Sequence, residues 1–260
     1  MLRLKHLTEK LALKKPIKML VFDMAGTTVN EKGIIYHTIY DTLKMFNFDV
    51  YKDDMHSWHG LSKNEILLHY LNKKYNIPTS NINIPTSNST PNTRRRHTNA
   101  HEFHHETTVL KQELLWTFKR NLKMNYFNEG NISIMSPKMP DLFNRIRDSG
   151  VKITLNTGYD KDIQTTIIDR LNMDSFIDDC VASDEVLNGR PYPNMIELLM
   201  KRNEITDPSQ VIKFGDTKND ILEGKYAKCL LSVGVLTGAG DENELINADY
   251  ILNSVMDIVI

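Results

Sequence analysis

Four short stretches of the sequence carry side chains that together could transfer a phosphoryl group. The first, residues 17–29, reads IKMLVFDMAGTTV. Its apolar run ends in Asp23, and Gly26 lets the backbone curl back, so that the carboxylate and nearby main-chain N–H groups could face a phosphate. Thr157, followed by Gly158, offers a hydroxyl to a phosphoryl oxygen. Arg190, in NGRPYPNM, is a permanently charged fork able to neutralise charge spreading over equatorial oxygens. Asp216 and Asp220, in GDTKND, are two carboxylates four residues apart, the hard oxygen ligands that suit Mg²⁺. A carboxylate nucleophile, a hydroxyl, a cation and a metal-binding acidic pair make a complete set for phosphoryl transfer.

Such residues must be positioned by regular elements, and the sequence supplies them. Apolar runs rich in β-branched residues occur at 17–22, 151–155, 180–182, 211–214 and 230–235, with a sixth at 250–252. Segments with helical periodicity, such as 140–147 and 162–171, lie between them. Strands that are apolar throughout and alternate with helices predict a doubly wound, parallel, Rossmann-like α/β sheet covered on both faces. In such a sheet ligands gather at the carboxyl ends of the strands, where Asp23, Asn156-Thr157-Gly158, Ser183-Asp184 and Gly215-Asp216 all fall.

The segment from 34 to 135 is too long for a simple crossover, and its stretches 36–46, 64–75 and 109–124 read as helices. The expected organisation is therefore an N-terminal extension at 1–16, an α/β core from 17–33 and 136–260, and an inserted α-helical cap over 34–135. Within that cap, residues 76–106 repeat NIPTSN and continue in Asn, Ser, Thr and Pro, a composition that predicts a disordered insertion.

The order of the four motifs resembles that of the haloacid dehalogenase superfamily, and within it the phosphonatase-like hydrolases. DMAGTT, TGY at 157–159, GRPYPNM at 189–195 and GDTKND match the four superfamily motifs in turn, and GLSK at 60–63 is similar to a cap motif whose lysine forms a Schiff base. The resemblance implies that Asp23 is the nucleophile and Lys63 the imine-forming lysine. Thr157, Gly158 and Arg190 would bind phosphate. Mg²⁺ would be held by Asp23, the backbone carbonyl of Ala25 and Asp216, with Asp220 in support.

Superfamily phosphatases usually carry a second Asp two residues after the nucleophile as general acid; here that position is Ala25. Alanine cannot protonate a departing alkoxide. Cleaving a carbon–phosphorus bond instead requires an electron sink for a carbanion, which an imine on Lys63 would supply. Phosphonoacetaldehyde is the substrate this pattern fits best. Phosphonatase itself has Met and His where this chain has His59 and Ile66. A phosphomonoester hydrolase and a phosphometabolite-binding protein without turnover stand as alternatives.

Composition narrows the partners. With 32 Lys+Arg against 33 Asp+Glu the net charge is −1, which gives no reason to expect nucleic acid or an anionic membrane surface. No run of about 18 apolar residues predicts a membrane span. The two cysteines form neither a disulfide framework nor a paired-cysteine zinc site, pointing to a reducing compartment. The first sixteen residues lack the apolar centre of a secretory signal and are poor in Arg and Ser for a mitochondrial presequence, so the cytoplasm is expected, with the mitochondrion as the alternative. The expected ligand is a small phosphorylated or phosphonate metabolite, and the resemblance leaves a homodimer open. His101-Glu102-Phe103-His104-His105 matches the H-E-x-x-H zinc pattern but sits at the edge of the low-complexity segment with no third ligand at zincin spacing. Arg94-Arg95-Arg96 is read as a solvated stretch, and Gly234, Gly238 and Gly240 as a flexible turn.

Overall fold

The computed structural model describes residues 2–3, 16–58, 63–75, 77, 100–128 and 131–259. The chain divides into two compact units, one formed by Met1–Lys32 with Glu129–Ile260 and the other by Gly33–Asn128.

The first unit is a six-stranded, wholly parallel sheet. Its strands are β2 (Met19–Asp23), β5 (Lys152–Thr157), β6 (Asp179–Ala182), β7 (Val211–Gly215), β8 (Leu231–Val235) and β9 (Tyr250–Leu252), in the spatial order β6-β5-β2-β7-β8-β9. The chain starts at the centre, winds outward through β5 and β6, then crosses back to β7 and winds outward the other way. This doubly wound path needs helical crossovers, and α4 (Met139–Asp148), α5 (Lys161–Leu171), α6 (Asn194–Arg202) and α7 (Lys218–Tyr226) provide them. β2 and β7 are buried at every position, the expected consequence of helices on both faces. Phe22 stacks between Phe143 and Phe214, with ring centroids 4.8 and 4.6 Å away, so the strand end that carries Asp23 stands on a rigid aromatic layer.

Two short strands, β3 (Val29–Asn30) and β4 (Ser133–Ile134), pair antiparallel where the chain leaves and re-enters this unit. Their pairing assigns residues 131–135 to the sheet unit, whereas helical periodicity alone extends the insertion to 135. Leu2 and Arg3 form a strand, β1 (Leu2–Arg3), that pairs parallel with β10 (Ile258–Val259) in a separate two-stranded sheet. Residues 4–15 lie outside the described residues.

The second unit is helical: α1 (Ile34–Met45), α2 (Lys63–Tyr75) and α3 (Ala100–Phe127), with a 3₁₀ segment at Lys52–Trp58. Ile35, Ile39 and Leu43 of α1, Ile66, Leu67 and Tyr70 of α2, and Leu114, Phe118, Leu122 and Tyr126 of α3 recur every three or four residues and are buried together. The helix α3 begins at Ala100, inside the stretch that composition reads as disordered to 106, so helical hydrogen bonding reaches further back than the apolar pattern does. It therefore carries the H-E-x-x-H segment. The remainder of that stretch, apart from Ile77, and the three arginines at 94–96 lie outside the described residues. Among the described residues no helix is long and apolar enough to cross a membrane.

Candidate active site

Sheet register fixes the site. In the β2–β5 pair Asp23 stands opposite Asn156, and in the β2–β7 pair Phe22 stands opposite Phe214, so Asp23 lies between Asn156-Thr157 and Gly215-Asp216 at the carboxyl edge. Parallel strands end on the same edge, and a chain that winds outward in both directions from β2 leaves a crevice there. Asp23, Asp216 and Asp220 are buried, and one carboxylate oxygen from each lies within 4.8 Å of the others. Arg190 closes the cluster, with Nη1 2.6 Å from Asp23 Oδ1 and Nε 3.2 Å from Asp220 Oδ1.

Each carboxylate is oriented by a local device. Asp220 lies in the first turn of α7, where Thr217 is the N-cap and donates its hydroxyl to Asp220 Oδ2 at 2.6 Å. Asp216 accepts from Thr27 Oγ1 at 3.2 Å and from the amide of Ala239 at 2.7 Å. The Asp23 backbone carbonyl accepts from Thr28 Oγ1 at 2.9 Å, tying the turn back to the strand end.

That turn is closed by its own hydrogen bonds. The amide of Gly26 donates to the Val29 carbonyl at 2.8 Å, and those of Thr27, Thr28 and Val29 to the Met24 carbonyl at 3.2, 2.9 and 2.8 Å. These four N–H groups hold the turn together. Gly26 has φ 80°, and a Cβ there would lie 2.5 Å from Asp216 Oδ2, so glycine serves both the left-handed backbone and the close approach of Asp216.

Gly234, read with Gly238 and Gly240 as a turn, lies in β8 instead, and the turn is confined to 236–240. Beyond linking elements, it wraps Asp216: Gly240 donates its amide to the Asp216 carbonyl at 3.0 Å, and a Cβ on Gly238 would collide with the Asp216 carboxylate. Gly238→Ala is therefore expected to displace that carboxylate and weaken binding of a divalent cation about 10–100-fold by calorimetric titration, with the fold retained.

Thr157 is buried at the end of β5, where its Oγ1 accepts from the Tyr159 amide at 3.2 Å, and Gly158 is exposed beside it. Ala25 is half-buried in the turn after β2, in a bridge with Val29. Lys63 is the first residue of α2 in the helical unit, half-buried, with Nζ 5.2 Å from the centroid of the Tyr36 ring. Gly60, Leu61 and Ser62 of its motif, and His59, lie outside the described residues.

Sequence reasoning passes over Lys213 and Glu223, and names Asn156 only as a strand-end residue. All three are buried against the carboxylates. Lys213 Nζ lies 3.0 Å from Asp220 Oδ1 and 2.7 Å from Asn156 Oδ1, and Glu223 Oε2 lies 3.0 Å from Arg190 Nε. A lysine inside the apolar run 211–214 is the one signal that could have revealed this layer.

The cluster holds four carboxylates, Asp23, Asp216, Asp220 and Glu223, against two cations, Arg190 and Lys213, a formal excess of two negative charges. Burial pushes the Asp23 carboxyl up to about 6 against the pull of Arg190, with Asp220 adding repulsion. Burial and then the charges of Asp23 and Asp220 push Asp216 up to about 8. Burial acts the same way on Asp220, but Arg190 and Lys213 outweigh it and hold that carboxyl below its ordinary value. An excess of two negative charges among hard oxygen donors fits a divalent cation.

A pH dependence follows. Asp23 and Asp216 bind protons more tightly folded than unfolded, where they titrate at 3.8, so their contribution favours folding below that pH and is lost as pH rises through about 6 and about 8. Asp220 acts in the opposite sense at the acid end. Metal-free protein is therefore expected to melt at a lower temperature at pH 8 than at pH 5. A divalent cation held by these carboxylates would raise the melting temperature more at pH 8, because they must be deprotonated to bind it. Scanning calorimetry at both values checks this.

Comparison with known proteins now decides the family. Residues 20–232 match the family described as haloacid dehalogenase-like hydrolase. The chain belongs to that family. Phosphonoacetaldehyde hydrolase of Bacteroides fragilis is 34% identical over 98 residues, which cover 37% of this chain and 37% of that protein. The phosphoglycolate phosphatase of Escherichia coli is 26% identical over 129 residues, 49% of this chain and 50% of that one. The chain thus spans between about a third and a half of the length of these curated relatives. Among solved structures, a phosphonoacetaldehyde hydrolase-like protein from Oleispira antarctica superposes with a TM-score of 0.67 at 20% identity, covering 94% of this chain and 90% of that one, a likeness of fold.

Proposed function

We propose that this haloacid dehalogenase-like protein is a Mg²⁺-dependent hydrolase that uses Asp23 as nucleophile on a small organophosphorus compound, with phosphonoacetaldehyde as its substrate. The observation that carries the reading is the buried cluster of Asp23, Asp216 and Asp220 closed by Arg190, with alanine at 25 where an ester hydrolase of this family would keep its acid. The 34% identity to a phosphonoacetaldehyde hydrolase supports the choice of substrate.

In this reading Asp23, Asp216 and the carbonyl of Ala25 hold Mg²⁺, with Asp220 behind them. The ion would screen the approach of an anionic phosphoryl group to an anionic carboxylate. Arg190 and Thr157 bind phosphoryl oxygens and set phosphorus in line with the Asp23 carboxylate. Lys63 condenses with the aldehyde carbonyl and releases water, giving an imine adjacent to the carbon that bears phosphorus. Asp23 then attacks phosphorus and the carbon–phosphorus bond breaks. Its electron pair moves into the imine to form an enamine. Water releases phosphate from Asp23, the enamine carbon takes a proton, and a second water frees acetaldehyde from Lys63. The free amine is the form that reacts, and Lys63 Nζ lies 5.2 Å from the centroid of the Tyr36 ring.

A second reading, a phosphomonoester hydrolase, is favoured by Ile66. It is buried in the helical unit, so the position where phosphonatase has His contributes packing and no proton. The two readings separate when the purified protein is offered phosphonoacetaldehyde and a panel of phosphate esters with Mg²⁺, each with and without borohydride. Phosphate release from the phosphonate, with aldehyde-dependent inactivation by borohydride at Lys63, is expected. Release from esters alone would establish the second reading.

A further inference from the structure

The proposed chemistry leaves one buried layer without a task. Lys213 on β7 and Glu223 on α7 are each 0% exposed, and Asn156 at the end of β5 lies between them. We propose that Lys213 and Glu223, bridged by Asn156, are positioning residues that aim the Arg190 guanidinium at Asp23 and at the phosphoryl group Asp23 attacks.

The hydrogen bonds of Arg190 carry the argument. Its Nε donates to Glu223 Oε2 at 3.0 Å, and its Nη2 donates to the Asn156 carbonyl at 2.9 Å and to Asn156 Oδ1 at 2.7 Å. Nη1 meets Asp23 Oδ1 at 2.6 Å. Arginine has five N–H donors. These contacts engage four and leave one, on the nitrogen that already touches the nucleophile. The guanidinium is thus held from behind on two nitrogens and offers its third to the reacting centre.

Lys213 grips the same anchors. Its Nζ lies 2.7 Å from Asn156 Oδ1, 3.4 Å from Glu223 Oε2 and 3.0 Å from Asp220 Oδ1, the three side-chain atoms that also contact Arg190 from behind. Asn156 completes the frame by donating Nδ2 to both Glu223 oxygens at 2.9 and 3.0 Å. A buried ion pair often stabilises a fold no better than apolar residues of the same volume, so a lysine on a strand otherwise buried among apolar side chains is better explained by what it holds than by stability. A guanidinium displaced by about 1 Å loses about 100-fold in reaction rate, which is the scale of the benefit.

The inference rests on Arg190 as the phosphoryl ligand, and the test separates the two claims. Orthovanadate, a trigonal mimic of the transferring group, is titrated calorimetrically in the presence of Mg²⁺ against wild type, Arg190→Ala and the charge-balanced pair Lys213→Met/Glu223→Gln, with thermal unfolding recorded for each. Arg190→Ala is expected to weaken orthovanadate at least about 10-fold; if it does not, the reading of Arg190 fails. The double variant is expected to unfold cooperatively and still to bind orthovanadate at least about 10-fold more weakly, with no recovery when Mg²⁺ is raised. Binding within about twofold of wild type, or recovery with added Mg²⁺, would overturn the positioning role while leaving Arg190 in place. Should the double variant lose its cooperative transition, Glu223→Gln alone carries the same expectation and the same refutation.

Discussion

Asp23→Ala is expected to lower phosphate release by about 10⁴–10⁶-fold while leaving a folded protein. The size of the effect comes from three losses at one position. The carboxylate that would form the covalent intermediate is gone, the acidic cluster loses one of its three donors, and Arg190 loses the partner 2.6 Å from its Nη1. Asp23→Asn separates chemistry from stability. It keeps the shape of the side chain but removes a carboxyl that burial pushes up to about 6, so metal-free Asp23→Asn should melt no lower than wild type at pH 8. Single-turnover phosphate release and scanning calorimetry report the two quantities, and activity of Asp23→Ala within about 10-fold of wild type would place the nucleophile elsewhere.

Lys63→Met should have the next largest effect, and a selective one. Without an imine the departing carbon has no place for its electron pair, so turnover of phosphonoacetaldehyde is expected to fall at least about 10³-fold. Any hydrolysis of phosphate esters needs no such sink and should stay within about threefold. The substitution keeps most of the side-chain volume at the start of α2, so helix and unit should persist. Borohydride in the presence of the aldehyde should inactivate wild type and leave the residual ester activity of Lys63→Met untouched. Equal loss on both substrate classes would show Lys63 to be a structural residue.

The sheet is readable from sequence because a parallel strand covered on both faces has little room for polar residues, so the runs 17–22, 151–155 and 211–214 stand out. The same physics brings Asp23, Thr157 and Asp216 to one edge, since parallel strands that begin on one side must end on the other. Arg190 and Asp220 join them through a loop and a helix turn, and their motifs mark them without any periodicity. Lys213 is legible only as an interruption, because its partners Asn156 and Glu223 are 57 and 10 residues away and meet it through register and helix placement. The contribution of Gly238 is the absence of a side chain next to Asp216, which no residue-type pattern can announce. Helix α3 starts at Ala100 because backbone hydrogen bonding can run through a polar segment that shows no apolar stripe.

If Asp23 takes the phosphoryl group before water does, the stereochemical course at phosphorus records it. A substrate made chiral at phosphorus with sulfur and oxygen isotopes is hydrolysed, and the configuration of the released thiophosphate is determined. Two successive in-line displacements, first by Asp23 and then by water, predict net retention. Net inversion would mean that water attacks phosphorus directly and that Asp23 is not the nucleophile.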